Sequence, residues 1–207
     1  MESDSPHRRL AASLRQPLAA PLDITSLTEL LCLYRDADEM IFMRYCQLDE
    51  QEIADLCWEA RHLAHHLRRH YGARSAVEIA CAFGVEVERA QWQVAEGRGH
   101  CFAECRLRPP KITLNLAAIS QLASRFAAVS QRLSDWPSED ERAWFAESRI
   151  IEAITAHELY GIFQQRPSPP AAELAAYAFA REFTGLPFSP LLYGALLMLP
   201  PPPSPER

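Results

Sequence analysis

Ile154-Thr155-Ala156-His157-Glu158-Leu159-Tyr160-Gly161-Ile162-Phe163 is the stretch on which the reading of this chain turns. It sets an imidazole and a carboxylate side by side in an otherwise apolar segment. Burying either group alone costs free energy, so each is expected to have a partner. Ile150, Ile151, Ile154, Leu159, Ile162 and Phe163 fall on several sides of a helical projection, which predicts a central helix rather than a surface one. Ser138 with Glu141 three residues later is a capping box, and one long helix is expected from there to about Gln165.

Downstream, Ser168 and Pro169 supply a cap and a first helical position, and Gly185 a stop. The helix between them reads Glu173-Leu174-Ala175-Ala176-Tyr177-Ala178-Phe179-Ala180. Small residues allow close helix approach, and the short connection favours an antiparallel hairpin, so Glu173 is expected to face His157. The plainer reading of Glu173 is a first-turn acid favoured by the helix dipole. Tyr177 and Phe179 read as core.

Upstream, Asn115 caps a helix through Leu116, Ile119, Leu122, Phe126 and Val129. Three strand candidates precede it: Val85 to Val94, with a slip of phase between Val87 and Ala90, then His100 to Leu107, then Lys111 to Asn115. Gly97-Arg98-Gly99 reads as a hairpin turn between the first two. Ser75 with Glu78 opens a short helix that Gly84 ends, and Asp49 with Glu52 opens a longer one, periodic through Leu56, Ala60, Leu63 and Leu67 to Gly72. Ser26 to Met43 is moderately amphipathic.

These readings give an α+β class, mostly helical with a small three-stranded sheet. The expected division is a disordered N-terminus at 1–22, a helical N-terminal region at 23–72 packing on the main domain at 75–199, and a Pro-rich disordered tail at 200–207.

Composition narrows the function classes. The 207 residues are 48% hydrophobic and 23% charged, ordinary for a globular chain. A net charge of -6 argues against a general nucleic-acid surface, which needs clustered Lys and Arg. The longest apolar run, Leu191 to Leu199, is about half of a bilayer span, and Met1 to Arg15 has no apolar signal core. The expectation is a cytoplasmic protein with no membrane and no nucleic-acid partner. None of the six cysteines forms a C-x-x-C unit, which favours buried reduced thiols.

The chemistry turns on spacing. In H-E-x-x-H, residues four apart share a helical face, so two imidazoles hold a metal while the adjacent Glu takes a proton from bound water. Here the fifth position is Gly161. His62, His66 and His70 also recur every four residues, but away from the apolar stripe, and read as a solvated face. His100, on a strand before the central helix, is a further candidate donor.

Taken in order, Val77 to Phe83 with Gly84-Val85, Ile112-Thr113-Leu114-Asn115, Thr155-Ala156-His157-Glu158 and Glu173-x-x-Ala176-x-x-Phe179-Ala180 resemble the ImmA/IrrE-type minimal zincins, over about Ser75 to Pro190. The resemblance implies a minimal zincin-like domain, with His157 and Glu173 as zinc ligands and Glu158 as general base. Gly161 stands where that family has its second His, so zinc is expected to be weakly held or absent. The implied function is a degraded zinc site on a non-catalytic binding or regulatory module, its partner a protein or peptide. One alternative is an active intracellular zinc metallopeptidase acting on a protein regulator. Another is an unrelated helical interaction protein.

Overall fold

The computed structural model describes residues 50–92, 102–130, 138–164 and 170–198. The expectations for 1–49, for the turn at Gly97 to Gly99 and for the tail from 200 lie outside those residues. Seven helices and three strands are described: α1 (Glu50–Tyr71), α2 (Ala76–Ala82), β1 (Glu86–Ala90), β2 (Ala103–Leu107), β3 (Pro110–Asn115), α3 (Leu116–Ser130), α4 (Glu139–Ala143), α5 (Glu147–Gln164), α6 (Pro170–Thr184) and α7 (Leu191–Met198). The class is α+β, mostly helical, with one small sheet.

Local signals set most of these boundaries. Ser75 and Glu78 cap α2 reciprocally: the Ser75 hydroxyl accepts from the Glu78 N–H, and the Glu78 carboxylate accepts from the Ser75 N–H. At its other end Gly84 has φ of 73°, and the N–H of Val85 reaches back to the carbonyl of Ala80 at 2.9 Å. That turn needs a left-handed residue, which a side chain disfavours. Gly185 closes α6 in the same way, with φ of 68° and Leu186 N–H donating to the Arg181 carbonyl. Asn115 ends β3 and caps α3, its side-chain oxygen accepting from Ala117 and Ala118 N–H.

The strand order is β1-β3-β2, with β1 parallel and β2 antiparallel to β3. This corrects the expected hairpin between the first two strands, since β1 and β2 are not neighbours. Ile112 and Leu114 on β3 are fully buried, whereas β1 and β2 are mostly exposed along their length. The strand with the most apolar inward face takes the centre, where it is covered on both edges.

The long helix expected from Ser138 is also corrected. The Ser138–Glu141 capping box forms, but α4 stops at Ala143 and α5 starts at Glu147. Phe145 lies between them, buried and stacked on Phe126 at 3.6 Å and on Phe188 at 5.5 Å. The Tyr193 hydroxyl donates to the Trp144 carbonyl at 2.8 Å. A carbonyl taken by a tertiary donor and a ring drawn into the core together favour a turn over a continued helix.

α6 packs against both α1 and α5. Cys57, Ala60, Ala64 and Leu67 of α1 belong to the same buried cluster as Ala176 and Phe179 of α6 and Ile150 and Ala153 of α5. The alanines keep the backbones close. Two arginines fix the C-terminal end of α6: Arg68 Nε donates to the Phe183 carbonyl at 2.6 Å, and Arg149 Nη2 to that of Thr184 at 2.9 Å. Cations at a helix C-terminus meet unsatisfied carbonyls and the negative dipole end. α5 also lies against β2 and β3. None of the described helices is long and apolar enough to cross a membrane.

Candidate functional site

His157 lies in the middle of α5 with its side chain buried between α5 and α6. Its Nε2 is 3.1 Å from Oε1 of Glu173, in the first turn of α6. The two residues that the resemblance singles out as ligands are therefore brought together. Tyr177 follows Glu173 by one turn, and its ring centroid lies 4.5 Å from that of His157. Residues four apart on α6 thus present a carboxylate and an aromatic ring to one imidazole. The sequence reading assigned Tyr177 to the core; its spacing from Glu173 was the signal for a place beside His157.

Glu158 is part-buried on α5. Loss of water around the carboxylate raises its pKa above the ordinary carboxyl range; His157 pulls it down and Glu173 pushes it up. Its charge also reaches β2, where the Cys105 thiol is pushed up to about 11, by burial first and by Glu158 second. Such a thiol stays protonated at neutral pH and is a poor nucleophile. Cys81 is exposed, contrary to the expectation of buried thiols; Cys105 keeps part of its surface in water although its thiol is half-buried, and Cys57 is buried. β2 is short and lies at the sheet edge, where a side chain is covered on one face only.

Gly161 occupies the position one turn after His157. A Cβ built there meets nothing within 4 Å, so a larger side chain has room to begin. A catalytic zinc takes three protein ligands and a water. His157 and Glu173 supply two, Gly161 none, and among the described residues no group of three His, Cys, Asp or Glu stands close enough to hold a metal. Among the described residues the donor set is thus one protein ligand short of a catalytic zinc site. His100 lies outside the described residues. His62, His66 and His70 are exposed on α1, and the neighbouring His65 pairs with Glu182 at 3.1 Å.

The arrangement is thus an imidazole–carboxylate pair on two packed helices, backed by a tyrosine ring and flanked by a part-buried carboxyl and an edge strand. Comparison with family models, with curated proteins and with solved structures finds no match.

Proposed function

We propose that this chain is a relative of the zinc peptidases whose metal site is degraded, and that it serves as a binding or regulatory module for a protein or peptide. The observation that carries this reading is the 3.1 Å approach of His157 to Glu173, the two residues that the resemblance implies as ligands, together with Gly161 where the resemblance implies a second histidine. Among the described residues β2 pairs only with β3 and so forms one edge of the sheet. An extended peptide adding to that edge would gain main-chain hydrogen bonds and run beside α5.

Zinc measured on protein purified without chelator, for wild type and Gly161→His together, tests this. Wild type should carry far less than one zinc per chain, and the variant should gain metal that Glu173→Gln then loses. Near-stoichiometric zinc in wild type that disappears in His157→Ala would overturn the reading. So would a Gly161→His protein that folds and takes up no zinc.

A second reading, an active peptidase acting on a protein regulator, is favoured by Glu158, whose raised pKa suits a general base. It requires cleavage of a protein substrate by wild type and none by Glu158→Gln.

A further inference from the structure

A cavity of about 490 Å³ lies between α1, α2 and α5, separate from His157. That volume is within the roughly 300–1,000 Å³ of small-molecule sites. Tyr71, Phe83 and Phe163 form one side as a chain of edge-to-face rings, with centroids 5.9 Å apart for Tyr71 and Phe83 and 4.9 Å for Phe83 and Phe163. Leu63, His66 and His70 line it from α1. Phe83 is 46% exposed, so burial in the core does not account for its ring.

Several features select the charge of a ligand. Aromatic rings present negative faces, which attract cations. Tyr71 is the last residue of α1, Phe83 is the C-cap of α2, and Gln164, also on the wall, is the last residue of α5. Three helix C-termini therefore meet here, each with the partial negative end of its backbone dipole. Glu59 precedes Leu63, His66 and His70 by four, seven and eleven residues and so lies on the same face of α1. It is exposed, and its charge reaches the Tyr160 hydroxyl, which is hydrogen-bonded to Gln164. One wall ring already attracts a cation, the Arg74 guanidinium lying 5.9 Å from the Tyr71 centroid.

We propose that this cavity is a binding site for a small organic cation with an apolar body, of the alkylammonium class. The proposal is independent of the His157–Glu173 reading. The test is calorimetric titration of the full chain with three probes of one shape: choline, its uncharged isostere with tert-butyl in place of trimethylammonium, and tert-butylacetate as the anion. Choline should saturate a single site about tenfold more tightly than the alcohol. Phe83→Ala and Glu59→Gln, both at exposed positions and checked for unchanged helicity, should each weaken choline by about threefold or more. The proposal fails if choline does not saturate, if the alcohol binds equally well, if the anion binds more tightly, or if Phe83→Ala leaves choline unaffected.

Discussion

His157 Nε2 and Glu173 Oε1 stand 3.1 Å apart although they come from different helices. The α5–α6 pair is held at the far end of α6, where Arg149 from α5 and Arg68 from α1 take the carbonyls of Thr184 and Phe183. Glu173 is part-exposed, so solvent screens the pair. Glu173→Ala should therefore cost only about 1 kcal/mol, measured by urea denaturation. A loss several times larger would mean that the pair is a main support of the fold.

Arg68 is the larger structural investment. Its guanidinium donates to Phe183 O and Arg74 O, lies 3.9 Å from the Phe183 ring centroid, and stands 3.7 Å from Glu152. Glu152 in turn accepts from the Ala76 N–H at the start of α2. Arg68→Ala should destabilise by about 2–3 kcal/mol, because it strands a part-buried carboxylate and an accepting carbonyl. Arg68→Lys should recover only part of that loss, since an ammonium cannot keep the forked geometry. Equal stability of Arg68→Lys and wild type would contradict this account.

Glu158 offers a pH-dependent test. Its folded pKa is raised, by burial first, so the native state still holds a proton that the unfolded chain has released. Stability then falls as pH rises from the ordinary carboxyl range through the raised value. Glu158→Gln removes that penalty and should stabilise the protein at neutral pH by about 1 kcal/mol, with the gain shrinking as pH falls into the ordinary carboxyl range. Thermal melts of both proteins across pH measure it; a gain that grows on acidification would reverse the assigned sign.

Thr155 is fully buried on α5, and its hydroxyl has no hydrogen-bond partner among the described residues. Valine has almost the same shape without the polar atom. Thr155→Val should raise stability by about 1 kcal/mol, read as an increase in the urea midpoint with unchanged slope. Destabilisation would show that the hydroxyl is satisfied.

Phe145 interrupts the expected long helix, and its removal should show why. Phe145→Ala should cost about 3–5 kcal/mol through the lost stack on Phe126 and Phe188. Phe145→Leu should cost less. Circular dichroism with denaturant titration distinguishes this from a local change confined to α4, which would leave the midpoint near wild type.

Much of the helical framework was legible in residue pairs close in sequence. Ser75 with Glu78, Ser138 with Glu141, Asn115, Gly84 and Gly185 each act through hydrogen bonds or backbone angles that span a few residues, so the local chain suffices to read them. The buried α1 face was legible for the same reason, since a period near 3.6 already places Ala60 and Leu67 on one side. Strand order was not: β3 became central because Ile112 and Leu114 have core to fill, and nothing within five residues of them states which neighbours will come. The break before α5 was hidden likewise, as it depends on Phe126, Phe188 and Tyr193.

By itself the sequence determined the α+β class, the caps and stops of most described elements, and the presence of His157, Glu158 and Glu173 on two consecutive helices with Gly161 between the first pair and the third. Only the tertiary structure decided that Glu173 and Tyr177 turn toward His157, that β2 lies along α5, and that Tyr71, Phe83 and Phe163 line one open cavity. The physical reason is range. Capping and periodicity are interactions of neighbours along the chain, whereas the facing of two helices is fixed by alanines and arginines that meet only after α1, α5 and α6 have packed together.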